Sequence, residues 1–162
     1  MKARTILALV AAALAAGVYA GNVMATPPSG VNTMIVGRSL FDEFQTEAHT
    51  IPADTWQAGL RTHGASDVYV VDNKFSPGSS TGWHSHPGPS LILVLSGTLT
   101  NHTGDNCAGT SYSAGQGFID PAGVTHEVTN DTGAPAEDVA VQLLPHGAAR
   151  KTDQPQPSNC SR

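Results

Sequence analysis

Positive charge is scarce in this sequence, with 8 Lys and Arg against 13 Asp and Glu and a net charge of −5. No basic stripe is available to neutralise phosphates, which argues against a nucleic-acid partner. Charged residues of either sign make up only 13% of the chain, whereas Gly contributes 17 residues and Pro 11. Long amphipathic helices are disfavoured by that balance, and many short strands separated by turns are favoured. Cysteine is nearly absent, and Cys107 and Cys160 lie too far apart to form the CxxC pair of a zinc or dithiol redox motif. No internal repeat appears at the roughly 20–50-residue periods of solenoids and propellers, so one undivided domain is expected.

The N-terminus has its own pattern. Lys2 and Arg4 precede an Ala-rich apolar run from Ile6 to Ala20, short for a membrane span and followed by no second hydrophobic segment. It reads as a secretory signal over residues 1–25, with small residues at two cleavage points, after Ala20 or after Ala25. An exported protein with no lasting membrane anchor is expected, and in an oxidising compartment the even pair Cys107 and Cys160 reads as a disulfide. Removal of the leader leaves about 140 residues, the size of one domain with one core. Residues 26–32 are small and helix-hostile and read as a flexible spacer, residues 33–145 as the domain, and residues 146–162 as an extended tail attached at Cys160.

Within the domain, strand-sized apolar segments alternate with turn clusters. They include Met34 to Val36, Trp56 to Leu60, Val68 to Val71, Leu91 to Leu95, Thr98 to His102, Gly117 to Ile119, His126 to Thr129 and Val139 to Leu144. The breaks carry Gly, Pro, Asn, Asp or Ser, as in Ser76-Pro77-Gly78, Pro87-Gly88-Pro89 and Pro121-Ala122-Gly123. An all-β sandwich or barrel follows. Because Leu91-Ile92-Leu93-Val94-Leu95 is continuously apolar, it predicts a central strand covered on both faces.

Two spaced strings carry the chemistry. The first runs Gly78-x5-His84-x-His86-x3-Ser90-x6-Gly97, and the second runs Gly115-x5-Pro121-x-Gly123-x2-His126-x3-Asn130. His84 and His86, two apart, project from one face of an extended chain, and His126 follows a turn that could aim it into the same interior. In residue type and spacing these strings resemble the paired motifs of the cupin superfamily over residues 78–130. The resemblance implies a small antiparallel β-barrel, or double-stranded jelly roll, holding one divalent transition metal (Fe, Mn, Zn, Ni or Cu) on His84, His86 and His126. It also allows a homodimer.

The superfamily's first motif normally supplies a glutamate where this sequence has Ser90. A serine hydroxyl is a poor ligand and brings no charge, so three neutral imidazoles would leave the ion near +2 with open positions. Among candidate replacements, Glu127 is expected on the face opposite His126, Asp120 is expected to cap the turn before Pro121, and Gln142 could face inward as a weak fourth ligand. His49, His63, His102 and His146 have no partner at ligand spacing and are expected at the surface. Trp83, Tyr112 and Phe118 are expected to pack in the barrel wall. Two functions remain open: a metal-dependent enzyme, an oxygenase or lyase acting on a small organic molecule, or a barrel that binds a metal or small ligand without turnover.

Overall fold

The computed structural model describes residues 24–50 and 55–160. The apolar run assigned to the leader therefore lies outside the described residues, and Met24 and Ala25 alone of that segment lie within them. Among the described residues every regular element is a strand and no helix is long and apolar enough to cross a membrane.

The chain opens with β1 (Ser29–Phe41), then a hairpin of β2 (Gln45–His49) and β3 (Gln57–Arg61), then the long β4 (Ser66–Ser80) and the two-residue β5 (His84–Ser85). It continues through β6 (Ser90–Ser96), β7 (Thr98–Thr103), β8 (Thr110–Ser113), β9 (Gly117–Asp120), β10 (His126–Thr129), β11 (Ala136–Pro145) and β12 (Thr152–Asp153). Antiparallel pairing makes a front layer β1-β4-β11-β6-β9 and a back layer β12-β5-β10-β7-β8, joined where Thr129 of β10 meets Ser80 of β4. This is the two-layered jelly-roll barrel that the alternating segments and turn clusters predict. Turn chemistry sets its corners. Gly97, at φ 71°, turns β6 into β7 with Ala136 so close that an added Cβ would lie 2.7 Å from the alanine methyl.

The inner faces divide the barrel into two halves. Tyr69, Val71, Phe75, Ile92, Val94, Leu99, Phe118, Val128, Ala136, Ala140 and Leu144 form the apolar core. Asp138 and Gln142 alternate with Ala136, Ala140 and Leu144 on the inner face of β11, so a single strand serves both the apolar half and a polar half. Trp83 is buried, and Tyr112 stacks on Phe118 with ring centroids 4.7 Å apart, as expected for barrel-wall residues.

Several expectations need correction. Strand β6 is not covered on both faces: Ile92 and Val94 are buried, while Leu91, Leu93 and Leu95 are each about half exposed. Its outer neighbours are apolar too, since Leu93 and Leu91 pair with Val139 and Val141, and Leu91 with Ile119. The continuous apolar run therefore reflects an apolar outer surface. The spacer is shorter than read, because β1 begins at Ser29, and Ala25 bridges Pro155 while the Thr26 amide donates to the Gln154 carbonyl.

The tail is held at far more than Cys160. Strand β12 pairs with β5, the Gln154 amide donates to the Trp83 carbonyl, and the Lys151 ammonium donates to the Thr81 carbonyl. His146 is exposed as expected, yet its Nδ1 lies 3.2 Å from the buried Asp67. The Arg38 guanidinium hydrogen-bonds the same carboxylate and, with help from the Gly147 amide and His146, holds it well below the usual carboxylate range against the cost of burial. His102, by contrast, is buried, with Nδ1 3.0 Å from the Cys107 carbonyl and Nε2 2.9 Å from the Thr129 hydroxyl. His49 and His63 are exposed, as expected.

Cys107 and Cys160 form a disulfide across a separation of 53 residues, with Cα atoms 5.2 Å apart. For a loop of that length the chain-entropy argument gives about 4 kcal/mol of stabilisation as an upper figure. The variant C107A/C160A should therefore unfold at a clearly lower denaturant midpoint than the oxidised parent, with an equal or steeper slope because its unfolded chain is less constrained, as read from urea titration. An unchanged midpoint would show that the bridge contributes nothing to stability.

Candidate metal centre

The site forms where the back layer's His84 and His126 meet the polar inner face of the front layer. His84 and His126 are directly opposite residues of β5 and β10, a register that places their rings side by side with centroids 4.3 Å apart. His86, just past β5, completes the triangle, 4.9 Å from the His84 ring and 5.3 Å from the His126 ring. One nitrogen of each can be chosen so that all three lie within 4.8 Å of one another, and all three residues are buried.

Which nitrogens face the centre follows from the other side of each ring. Nδ1 of His84 donates to the Gly82 carbonyl at 2.8 Å, Nδ1 of His86 to the Arg150 carbonyl at 2.7 Å, and Nδ1 of His126 to the Val124 carbonyl at 2.9 Å. A carbonyl accepts only from N–H, so these contacts fix the Nδ1–H tautomer and leave each Nε2 with its lone pair. Two of the carbonyls lie two residues before their own histidine, so short turns orient the rings. The third comes from the tail, 64 residues further on. The turn ahead of His126 is tied in by the Gly123 amide, which donates to the His86 carbonyl at 2.8 Å with Gly123 at φ 74°.

Burial keeps two of these rings, His84 and His86, neutral. Burial pushes His84 down to about 2, with the neighbouring His126 adding to the effect against the hydrogen bond to Gly82. Burial likewise pushes His86 down to about 4. Neutral imidazoles with converging lone pairs are the form in which histidine binds a cation, so the donor set fits a divalent transition metal.

The front layer supplies the rest of the cavity, of about 330 Å³, which His84, His86, Ser90, Asp120, His126, Asp138, Gln142 and Arg150 help to line. Ser90 is buried and pairs in register with both Asp120 and Gln142. The Gln142 amide nitrogen donates to the Ser90 hydroxyl at 3.0 Å and lies 3.4 Å from each ring nitrogen of His86. Gln142 thus faces inward, but its carbonyl oxygen accepts from Arg150 at 3.2 Å, so the atom that could have bound a metal is engaged elsewhere. Glu127 is on the other side of β10, bonded to the Ser80 hydroxyl, as the alternation predicts, although it is buried.

Asp120 departs from expectation. Its side chain does not cap the turn before Pro121. It points inward, with Oδ1 accepting from the Asn101 amide at 2.7 Å and Oδ2 3.2 Å from His126 Nε2. Burial raises its pKa, an effect opposed by His126 and by the Asn101 hydrogen bond. Asp138, the second acid in the cavity, was not singled out by the sequence. Burial pushes it up to about 7, opposed by the hydrogen bond from Asn73 and reinforced by Asp120 and Asp72. The alternation along β11 was the signal that could have found it, since Asp138 and Gln142 are four apart and share a face.

Comparison with known proteins places these features in a lineage. The cupin domain profile matches residues 73–141, which includes the three histidines. The β-alanine degradation protein BauB of Pseudomonas aeruginosa is 35% identical over 66 residues, covering 40% of this chain and 70% of its own. A protein with a double-stranded β-helix domain from Klebsiella pneumoniae is 27% identical at a TM-score of 0.48, covering 55% of this chain and 76% of its own. The polyketide cyclase RemF of Streptomyces resistomycificus has the same fold, with a TM-score of 0.53 at 16% identity and 85% of each chain covered.

The buried Asp138 makes a pH prediction. Its folded pKa lies above its unfolded one, so the folded state binds the extra proton and stability is lost as pH rises from about 4 through about 7. Asp138→Asn keeps the contact with Asn73 and removes the titration. The variant should be more stable than the parent at pH 8, by about 1 kcal/mol or more, and little different at pH 4. Urea unfolding at the two pH values checks this, and an equal effect at both would mean that Asp138 carries no folding-linked proton.

Proposed function

The chain belongs to the cupin family, and from that premise we propose that it is an exported enzyme that holds one divalent transition metal on His84, His86 and His126 and acts on a small polar organic molecule as an oxygenase or lyase. The observation that carries the reading is the set of three Nδ1–H bonds, which leaves three lone pairs aimed into one cavity. When bound, the metal would supply Lewis acidity or oxygen activation and open positions for a chelating substrate. The chain's own residues supply binding and proton handling around it. Asp138, pushed up to about 7 and lining the cavity, can hold or release a proton near neutral pH. Arg150 reaches the cavity through Gln142 and presents positive charge to an anionic substrate group. The tail closes over His86 through its Arg150 carbonyl and limits entry of water.

The inward Arg150, Asp120 and Asp138 favour turnover over a barrel that merely binds, because a passive site has no need of buried acids beside its ligands. Export is consistent with the disulfide, which persists in oxidising compartments. A homodimer completes the reading, formed through the outer face of the front layer. There Leu91, Leu93, Leu95 and Ile119 stand exposed beside Val139 and Val141. Five strands spaced about 4.8 Å apart, with ten residues along β11, span roughly 800 Å², the area per partner of a stable complex. A second copy presenting the same apolar face satisfies it by two-fold symmetry.

Three measurements test these points. Elemental analysis of purified protein should find about one equivalent of a transition metal, lost in His84→Ala. Chelation should lower the parent's melting temperature at pH 7.5 and leave the variant's unchanged. Because metal and protons compete for the imidazoles, the holo advantage should persist from neutral pH through mild acid and be lost as pH falls toward about 4, where His86 takes up its proton. In sedimentation the parent should run as a dimer and Leu93→Asp as a monomer; a monomeric parent would leave the outer face without a second copy.

A further inference from the structure

We propose that Asp120 is the anionic fourth ligand of this centre, so that the carboxylate missing at position 90 is supplied from the adjacent strand. The proposal rests on the metal reading above and specifies its ligand set. Ser90 on β6 and Asp120 on β9 are paired in register, and both side chains are on the inner face. A carboxylate at position 120 therefore enters the cavity beside the space a longer acid at position 90 would fill.

Three observations single out Asp120 among the acids and amides around the site. Its Oδ2 lies 3.2 Å from His126 Nε2, the nitrogen left with a lone pair by the bond from Nδ1 to Val124. Two donors each about 2.1 Å from a common ion, subtending roughly 90–109°, lie about 3.0–3.4 Å apart, so this spacing is that of neighbouring ligands. The second observation is the support behind the carboxylate. The Asn101 amide holds Oδ1 at 2.7 Å and leaves Oδ2 for the centre, the arrangement by which an outer partner orients a ligating carboxylate. The third is charge. Asp120 is 3% exposed, and among the described residues its ion-pair contact is with His126 and not with Lys or Arg. A buried carboxylate facing an imidazole lone pair is compensated best by a cation shared between them. The competitors are placed differently: Glu127 bonds Ser80 on the other side of β10, the Gln142 oxygen accepts from Arg150, and Asp138, held by Asn73, makes no ion-pair contact with any of the three histidines among the described residues.

Moving the acid from β6 to β9 keeps one negative charge on the ion while leaving the small Ser90 hydroxyl and the Gln142 amide to line the vacated side. That side is then the place for a substrate group.

The test uses cobalt(II) as the probe on the full mature protein after chelation, with affinity read by competition against a chromogenic chelator and coordination read from the visible d–d bands. Asp120→Asn should bind cobalt about a hundredfold more weakly, with shifted bands, while its metal-free form melts close to the metal-free parent. The double variant S90E/D120N should recover at least tenfold of the lost affinity, because it returns the carboxylate to β6. Asp120→Asn that binds as tightly as the parent would overturn the proposal. So would a weakened variant whose bands are unchanged, since Asp120 would then touch only a metal-bound water. A parent that takes up no more cobalt than His84→Ala would instead remove the metal reading itself, and this proposal with it.

Discussion

Three imidazole lone pairs buried side by side are the constraint on which the rest of this structure depends. Without a cation such an arrangement is costly, because buried lone pairs of the same polarity face one another. The chain meets that cost by bonding every Nδ1 to a backbone carbonyl, which locks the rings and leaves no rotamer or tautomer by which they could relax. Burial then holds His84 and His86 neutral far into acid. The three rings are thereby fixed beside one another, so little reorganisation would remain for a cation that bound there.

Much of the surrounding architecture serves that arrangement. The register of β5 against β10 puts His84 opposite His126, and the glycine turn before β10 is tied to His86 by a backbone hydrogen bond. The C-terminal segment acts as a fourth wall: Arg150 gives its carbonyl to His86 and its guanidinium to Gln142, while β12 pairs with β5. The disulfide anchors the far end of this segment to the loop after β7, so the segment that covers the site is tied down at both ends. The apolar core, in the other half of the barrel, lets β4, β6 and β11 carry polar residues at the site without loss of the fold.

The division of acids is the second organising feature. Asp67 is offset by Arg38 and stays ionised, whereas Asp138 is buried with only an amide donor beside it and is pushed up to about 7. Asp120 falls between these cases, held by Asn101 on one oxygen and set against His126 on the other. Three aspartates in one barrel thus have three environments, and the partner each one meets decides its charge.

The all-β class, the jelly-roll family and the three clustered histidines were legible in the sequence, because they depend on local rules: turn residues at fixed offsets, alternation along strands, and two histidines on one face of an extended segment. The even cysteine pair was legible as a disulfide for a similar reason of simple counting. What only the tertiary structure decided were the relations across strands. The run from Leu91 to Leu95 looks the same whether its second face meets a core or solvent, since composition does not say what lies above a sheet. The inward turn of Asp120 could not be read from its place before Pro121, because it depends on the pairing of β9 with β6 and on Asn101 of β7. The tail, polar and rich in proline, has no periodicity to reveal its attachments, and its role at His86 arises from a backbone carbonyl, a group that every residue has.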